Sequence, residues 1–436
     1  MAHTIVEGSI PDYDNDMDLF TMPSTSSGIE SINLVTIRPT TQLQENGPID
    51  FRIPATGSQY IDFEKTLLSL KLRIEHSDGT PLKTDEYVAP INYILNTIWS
   101  QIEVKLQQKN VCGTSLSYSY KSYIEALLTY SRDPKNTQLQ TSGWLLDAPG
   151  SFDQPPGGGN AEATSRWAKF IENGEVNFVG PLHIDIFNSA NNRLLLNGID
   201  VNITMTPNKS EFTLIAGESE HSYKLSIVDI ALQICKKTLS PELMVSHIKS
   251  LEKQNAIFPC DRTEIKPIAI SKGEYMINVD NLFQGTVPNS LVICFVDSKA
   301  YQGSITKNPL KLQHNNISKL ILSVDDIPVQ GGELDLSFSK PKNFTTAYYN
   351  LFKSQHRDRD NFGNGIKLDD FDKGLTIFPF EIAFEKSEGG FAPIKRGNVQ
   401  LKVTFDRPLA ESTTCLCMAK FSSTFEIDFN RNVILP

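Results

Sequence analysis

The sequence has 436 residues, a length that predicts two domains because single hydrophobic cores stop growing at roughly 250 residues. Its formal net charge is −10 at pH 7, which excludes a protein whose whole surface coats nucleic acid, since phosphate binding needs clustered lysine and arginine. The 24 Phe and 13 Tyr against 3 Trp favour β structure, in which aromatic side chains pack on a pleated surface.

The N-terminal part of the chain differs in composition from the remainder. Its residues are rich in Asp, Ser, Thr and Pro with little periodicity, so we predict an extended arm over residues 1–45. After Pro48 apolar and polar residues alternate with a period of two, as is typical of half-buried β-strands. In the first half of the chain this alternation predicts strands at 68–74, 102–106, 182–186, 201–205 and 223–227.

Helical periodicity is rare, and two of the three helical segments have the same pattern. Between Tyr120 and Leu128 the apolar residues follow the i, i+3, i+4, i+7, i+8 spacing of an amphipathic helix. The same spacing recurs over residues 344–352, with Asn343 as the predicted cap. We therefore predict two equivalent short helices, one in each half of the chain.

A third helix is predicted between the two halves. Ser240 is a favourable N-cap, and Pro241 occupies the first helical position, where its missing N–H is not needed. The subsequent apolar residues predict a connector helix over 240–253, with one face formed by Leu243, Met244, His247, Ile248 and Leu251.

The two halves of the chain resemble each other in their order of elements. The helices at 120–128 and 344–352 are each preceded by an alternating strand, at 102–106 and at 320–324. The interval from each helix to the next matching strand is longer in the first half. We assign the extra residues to a Pro- and Gly-bearing surface loop at 148–178 and interpret the chain as a duplicated β domain.

The resulting prediction is an all-β chain of two tandem eight-stranded jelly-roll β-sandwiches, with a few short helices in loops. Residues 46–238 form the first jelly roll, and residues 239–436 form the second, which opens with the connector helix. In the second half, the apolar run 291–296 predicts a strand buried on both faces, and alternation predicts strands at 399–405 and 425–429.

No constellation of residues points to catalysis, cofactor binding or a metal site. The seven His are dispersed, without a His-Glu-x-x-His or Gly-x-Ser-x-Gly motif. The segment Asp12–Asp16 opens like a calcium loop but has Met17 and Pro23 where such a loop needs Gly and Glu. The six Cys form no Cys-x-x-Cys pair, and Cys415 and Cys417 would share one face of a strand. We expect no enzyme activity and reduced, buried thiols in an intracellular compartment.

The sequence also lacks export and membrane signals. The N-terminal region shows no basic segment followed by an apolar core, so we expect no signal peptide. No apolar run approaches the roughly 18 residues that a membrane-spanning helix needs. The sequons at Asn202, Asn208, Asn316 and Asn343 are expected to be chance matches.

Several longer segments, taken in order, carry more information than any short motif. They are TLLSLKLRI from Thr66, SQIEVKL from Ser100, YKSYIEALLTY from Tyr120, GPLHIDIF from Gly180, RLLLNGIDVNI from Arg193, NLFQGTVPNSLVICFVDSKAYQGSITKNP from Asn281, GNGIKLDDFDKG from Gly363 and FEIDFNRNVI from Phe425. These segments are distributed along nearly the whole chain, and together they resemble the major capsid protein (hexon) of Polinton/Maverick elements and the related adintoviruses.

The resemblance implies a double jelly roll, three copies of which form a pseudo-hexagonal capsomer that tiles an icosahedral shell. It further implies a virion location after assembly inside the host cell, in the nucleus or cytoplasm, with a separate single jelly-roll penton protein at the vertices. It supplies no active site, no cofactor and no sequence-specific contact with nucleic acid. The N-terminal arm is then expected to become ordered on assembly, where it would reach under a neighbour.

A tandem β-sandwich that binds carbohydrate or a receptor is the alternative, because jelly rolls are common in lectins. That alternative predicts a secretory signal and exposed aromatic residues in loops. The missing signal counts against it, and the 148–178 loop, with Trp167 and Phe170, is a candidate contact with a receptor as part of a capsid.

Overall fold

The period-two alternation of apolar side chains folds into antiparallel sheets in both halves of the chain. The computed structural model describes residues 22, 27–44, 46–111, 117–187, 193–217, 222–383 and 394–435. The first half of this described part contains the strands β1 (Ile29–Ile37), β2 (Ile49–Ile53), β3 (Gln59–His76), β4 (Val88–Pro90), β5 (Trp99–Leu106), β6 (Lys109–Asn110), β7 (Glu175–Pro181), β8 (Val201–Pro207), β9 (Leu214–Ala216) and β10 (Tyr223–Leu239).

The second half repeats the arrangement. Its described strands are β11 (Ala256–Ile270), β12 (Met276–Val279), β13 (Thr286–Val287), β14 (Ser290–Asp297), β15 (Ile317–Val324), β16 (Ile327–Asp335), β17 (Ile377–Glu381), β18 (Lys395–Arg396), β19 (Val399–Phe405), β20 (Thr413–Ile427) and β21 (Val433–Ile434). Three of them are accessory: β13 pairs with β18, and β21 extends the sheet at β20.

Each half is one jelly roll. The first half forms sheets in the orders β1-β10-β3-β7 and β2-β8-β5-β6, with β4 and β9 as an accessory pair. The second half forms the orders β11-β20-β14-β17 and β12-β19-β15-β16. If the eight main strands of each half are counted along the chain, both halves give the orders 1-8-3-6 and 2-7-4-5. The predicted fold, two tandem eight-stranded jelly rolls, is confirmed.

Short helices occupy the connections between strands. In the described part of the chain they are α1 (Ile94–Thr97), α2 (Tyr118–Thr129), α3 (Arg132–Asn136), a 3-10 helix (Gln138–Ser142), α4 (Ala161–Asn173), α5 (Ser210–Thr213), α6 (Pro241–Leu251), α7 (Ser298–Gln302), α8 (Thr345–Lys353) and α9 (Leu368–Phe371). The three predicted helices are confirmed as α2, α6 and α8. Helices α2 and α8 lie in the same connection of their respective jelly rolls, between the fifth and sixth main strands.

The core of each sandwich lies between its two sheets. On β3 the side chains of Leu68, Leu70 and Leu72 are at most 1% exposed, whereas the intervening Ser69 and Lys71 are partly exposed. Burying one such leucine contributes about 1.5–3 kcal/mol relative to leaving it in water. The alternation in the sequence therefore fixes which face of each strand meets the opposite sheet.

The predicted N-terminal arm is too long at its C-terminal end. Residues Ile29–Ile37 form β1, the first main strand of the first jelly roll, which pairs antiparallel with β10. Its alternation is weak because β1 is an edge strand whose outward Ile32 and Leu34 are exposed. Residues 1–21, 23–26 and 45 of the predicted arm lie outside the described part of the chain.

Three smaller predictions are also wrong. Residues 182–186 come after β7 as a turn, and their alternation reflects packing, since Leu182 and Ile184 are buried. The 148–178 segment is not an open loop, because it contains α4 and the start of β7. Asn343 does not cap α8; its amide donates to the Asp335 carbonyl (3.1 Å), and Phe344 takes the cap position.

Candidate assembly surfaces

The outward face of one sheet in the second jelly roll is fully covered. Phe295 of β14 points inward, because its ring centroid lies 6.2 Å from that of Phe405 in the opposite sheet. Side chains alternate along a strand, so Cys294 and its β20 partner Leu416 point outward. Both are nevertheless 0% exposed, and the neighbouring outward Met418 is 2% exposed. Another part of the chain must therefore pack on this face.

Helix α2 of the first jelly roll provides the cover. Every residue from Tyr118 to Leu128 is buried, although a surface helix normally buries only one stripe. Tyr120 stacks on Tyr301 of the second jelly roll, with ring centroids 5.7 Å apart. Glu125 accepts a charge-assisted hydrogen bond from Lys420 of β20, at 2.8 Å. Helix α2 therefore lies between the first jelly roll and the outward face of the sheet of β14 and β20 in the second jelly roll.

A cluster of charged residues surrounds this contact on the side of the first jelly roll. Lys121 pairs with Asp185 at 2.5 Å, and the other Asp185 oxygen accepts from the backbone N–H of Thr263 on β11 at 2.8 Å. His183 Nδ1 lies 3.1 Å from Glu125 Oε2. Because burying charges is costly unless they are paired, this network favours one relative position of the two jelly rolls rather than adding much stability.

The electrostatics of the cluster keep its groups ionised. Burial alone would raise the pKa of Glu125, but Lys420, Lys121 and His183 together hold that pKa well below its ordinary value. Burial alone would lower the pKa of Lys420, but Glu125 more than offsets it and raises the pKa to about 12. Both partners of the pair are therefore charged at neutral pH.

A second link between the jelly rolls involves Lys135 of α3. Its ammonium donates to the carbonyls of Leu127 at 2.7 Å and of Asn364, in the second jelly roll, at 2.6 Å. Burial, reinforced by the nearby Arg357, lowers the pKa of Lys135 to about 7. This amine satisfies two carbonyl oxygens across the contact whether or not it carries a charge.

A third link is formed around Asn308, in the connection after α7. Its side-chain amide donates to Asp147 Oδ2 at 3.1 Å and to the Phe152 carbonyl at 3.0 Å. Lys311 pairs with Asp153 at 2.5 Å. The start of the predicted 148–178 loop therefore belongs partly to the contact between the two jelly rolls.

Helix α8, the equivalent of α2, is not covered in the same way. Among its residues only Ala347 and Leu351 are buried. The shared apolar spacing places Tyr349 at the position of α8 that Glu125 occupies in α2, and Tyr349 is 48% exposed. The side of α8 that corresponds to the covered side of α2 thus faces solvent.

The outward face of the equivalent sheet in the first jelly roll is exposed on β1 and β3, whereas Ala231 and Cys235 of β10, which lies between them, are buried. On its edge strand β1, Leu34 is 70% exposed and Ile32 is 55% exposed. Further across the face, Lys71 of β3 pairs with Glu175 of β7 at 3.4 Å, and each side chain keeps about a third of its surface in solvent. This face carries exposed charges where the covered face of the second jelly roll carries Cys294, Leu416 and Met418.

An apolar groove of about 600 Å³ lies beside the connector helix. It is bounded by α6, by the start of β1 and by the start of β11, and Leu239, Leu243 and Phe258 line it. Tyr60 OH lies 3.1 Å from His247 Nδ1 at its edge. On α6 only Leu251 is buried, so most of the predicted apolar face of this connector lines the groove or meets solvent.

The cysteines, the candidate metal ligands and the candidate membrane-spanning helices can be located among the described residues. Cys235, Cys260, Cys294, Cys415 and Cys417 are free and buried, and the sulfur atoms of the last two lie 3.8 Å apart without a disulfide. Cys112 and the Asp12–Asp16 segment lie outside the described residues. Within the part of the chain that the structure describes, there is no group of three or more His, Cys, Asp or Glu that could hold a metal ion. No helix there is long and apolar enough to cross a membrane.

Of the two candidate receptor-contact residues, Phe170 is buried and Trp167 is only partly so. Phe170 is 5% exposed and its ring packs near Phe178 of β7, with centroids 6.3 Å apart. Trp167 donates its indole N–H to the Glu86 carbonyl at 2.7 Å and lies against Tyr87. Both aromatic residues fix α4 to the sandwich; Phe170 is buried, whereas Trp167 is partly exposed.

The chain has a double jelly-roll fold, and comparison with known proteins supports this assignment. No family model matches the chain. A chain in the cryo-EM structure of the Sputnik virophage is similar over 98% of this chain and 93% of its own length, with a TM-score of 0.64 and 11% identity. The Faustovirus major capsid protein gives a TM-score of 0.58 at 9% identity, over 93% of this chain and 92% of its own.

A viral protein and an animal protein are also similar to this chain over nearly its whole length. The mavirus major capsid protein matches 100% of this chain and 95% of its own length, with a TM-score of 0.54 and 10% identity. An uncharacterized protein of Caenorhabditis elegans is 25% identical over 427 residues, which are 95% of this chain and 99% of the relative. The structural similarities establish the double jelly-roll fold of the chain.

Proposed function

We propose that this chain is a major capsid protein. Three copies would form a pseudo-hexagonal capsomer, and many capsomers would tile an icosahedral shell. The observation that carries the proposal is the duplicated 1-8-3-6 and 2-7-4-5 strand order, which runs through the whole chain and is similar to the fold of solved major capsid proteins.

The duplication gives a physical reason for this role. A ring of three two-domain subunits presents six similar sandwiches, so one gene product can occupy positions of local sixfold packing. The exposed Leu34 and Tyr349 are consistent with surfaces that another copy covers. A net charge of −10 suits a shell that makes no sequence-specific contact with the genome.

The partners are those that a capsid role requires. They are other copies of the chain, first in the trimer and then in neighbouring capsomers, and a separate single jelly-roll penton protein at the vertices. The N-terminal residues that precede β1 would reach under a neighbour on assembly. The protein would reside in the virion after assembly inside the host cell, in the nucleus or cytoplasm, and would act without catalysis or a cofactor.

A carbohydrate- or receptor-binding role receives less support. Its candidate contact residues, Trp167 and Phe170, pack against the sandwich. The proposed role is tested by expressing the chain and examining it by light scattering and negative-stain electron microscopy. Trimers and closed particles are expected; a purified chain that stays monomeric at micromolar concentration in every salt and pH would exclude the capsid role.

A further inference from the structure

The apolar groove beside α6 lies where the chain enters the first jelly roll. Gly28 and Ile29 line the groove, and the Gly28 carbonyl accepts a hydrogen bond from the Ser240 N–H at 3.1 Å, at the start of α6. This bond fixes the place from which the preceding residues leave the fold. The groove has a volume of about 600 Å³, within the roughly 300–1,000 Å³ of clefts that hold ligands. The N-terminal residues therefore begin at the edge of an apolar cleft that the described residues leave open.

The groove combines apolar side chains with a positive charge. Leu243 and Phe258 belong to its lining, together with Arg193 and His247. Among the described residues that line it there is no Asp or Glu. The Arg193 guanidinium donates to the Ile257 carbonyl, and that bond uses one of its five N–H donors. The lining therefore suits a ligand that is apolar on one side and negatively charged on the other.

Two further charges lie close to the lining. Arg431 is near enough to Tyr60 to offset part of the rise in the pKa of Tyr60 that burial causes. Glu426 accepts a hydrogen bond from Asn255 at 2.8 Å and so already has a partner. Because Arg193 and Arg431 outnumber this carboxylate, the groove attracts an acidic ligand.

One short run of the N-terminal arm has the matching chemistry and is an exception to the arm's lack of periodicity. Aspartates stand at every second position from Asp12 to Asp18, and the residues between and after them include Tyr13, Met17 and Leu19. In an extended segment alternate side chains point to opposite sides. Such a segment would present an acidic edge to the arginines and an apolar edge to the lining of the groove.

The acidic run is close enough in sequence to reach the groove of its own chain. Leu19 precedes Gly28 by nine positions, and an extended chain of that length spans about 30 Å. Met22, between them, is 90% exposed, so this linker residue does not itself cover the groove. A cover from the N-terminal arm must therefore come from residues further upstream.

We infer that residues 12–20 dock in the groove of their own chain before assembly, with their apolar side chains against Leu243 and Phe258 and their aspartates towards Arg193. The inference goes beyond the proposed function, because it concerns the unassembled chain and does not require capsomers. Docking covers an apolar surface that would otherwise meet water. Release of the same residues would free the arm to reach a neighbour.

Cleavage by an aspartate-specific endoprotease tests the docking in the full-length chain. The cleavage sites are the aspartates of residues 12–18, and the reference is a synthetic peptide of residues 1–27, which has no groove. A docked segment is cut only while it is out of the groove, so the rate follows the undocked population. Cleavage of the wild-type chain is expected to be at least about tenfold slower than that of the peptide. Equal rates would overturn the inference.

Two substitutions in the groove locate the protection, and each has a matched control. Leu243→Asp changes the apolar lining, and its control is Val245→Asp, at a residue of α6 that is 50% exposed and outside the lining. Arg193→Gln removes the positive charge, and its control is Arg262→Gln, at an exposed residue of β11. Both test variants are expected to raise the cleavage rate towards that of the peptide, and both controls should behave like the wild-type chain.

Circular dichroism and thermal unfolding check that the four variants fold. If Leu243→Asp lowers stability, Arg193→Gln decides the test, because the Arg193 side chain is exposed and its loss spares the core. Unchanged cleavage in Arg193→Gln, or equal changes in the controls, would show that the segment does not dock in this groove.

Photo-cross-linking gives a positive readout and identifies the chain that supplies the segment. A benzoylphenylalanine replaces Leu19 in isotopically light and heavy copies, which are mixed and irradiated. Links to Leu243 or Phe258 within a copy of one isotope are expected. Links between light and heavy copies would place the segment in the groove of a neighbour and overturn the inference, as would links to other surfaces only. Neither result depends on whether particles form, so the capsid role is tested separately.

Discussion

Replacing Lys420 with methionine tests whether the charged cluster joins the two jelly rolls. The change removes the ammonium that donates to Glu125 at 2.8 Å and keeps a side chain of similar length. Removing one partner of a buried ion pair costs about 3–5 kcal/mol, because the other charge is left without compensation. Glu125 keeps His183 and Lys121 nearby, and Lys420 retains 35% of its side-chain surface in solvent. Screening at such a site lowers the expected loss in the free energy of unfolding to about 1–3 kcal/mol.

The assay is urea denaturation of Lys420→Met beside the control Lys402→Met, at an exposed lysine of β19. The control should change the free energy of unfolding by no more than about 0.5 kcal/mol. Adding Glu125→Gln to Lys420→Met should recover part of the loss, since no buried charge then lacks its partner. A Lys420→Met variant as stable as its control, with no coupling to Glu125, would refute the argument.

The pH dependence gives an independent check of the same pair. The pKa of Glu125 is held below its ordinary value of 4.5, so the unfolded state binds the proton first. Its contribution to stability is therefore fully present above the unfolded pKa and is lost as the pH falls through the folded pKa. In Lys420→Met the pKa of Glu125 is less depressed, so stability should fall less steeply below pH 4.5 than in the wild-type chain.

Two further predictions address other links between the jelly rolls. Burial lowers the pKa of Lys135 to about 7 in the folded chain. Between pH 7 and pH 10 the unfolded chain therefore binds a proton that the folded chain does not, so the free energy of unfolding should rise with pH over this range. The expected rise is at most about 1.4 kcal/mol per pH unit, and Lys135→Met should abolish it in denaturation curves measured across this range. Gly374→Ala should lower the free energy of unfolding by about 1–3 kcal/mol, because the added methyl would meet the Phe152 ring. The added methyl of Gly374→Ala would lie 2.7 Å from the Phe152 ring, on a backbone with φ of +109°. The control is Gly273→Ala, where φ is +90° and an added methyl would meet nothing within 4 Å, so that it carries only the backbone strain. Equal effects of the two glycine substitutions would refute the close approach of Phe152.

Most of the fold can be predicted from the sequence because local patterns carry it. The leucines at 68, 70 and 72 alternate with polar residues, and that period fixes β3 and its inward face. The shared spacing of helices α2 and α8 predicts that they are equivalent, and the matched strand orders confirm the duplication. Such periodicities reflect burial against the protein's own core, so a single chain is enough to reveal them.

Other features depend on contacts that local patterns do not encode. Strand β1 falls within the predicted arm because its outward Ile32 and Leu34 meet solvent and blur the alternation. The pairing of Glu125 with Lys420 joins different jelly rolls, and neither residue has a local signal that names its partner. The packing of Trp167 likewise depends on the backbone carbonyl of Glu86, which only the folded chain brings close.

The central claim is that this chain is built to assemble with copies of itself. Its most direct test is the molar mass of the purified wild-type chain, measured by light scattering at micromolar concentration over a range of salt and pH. The account predicts a species with three times the chain mass of 48.7 kDa, and particles under assembly conditions. A mass of one chain under every condition would contradict it.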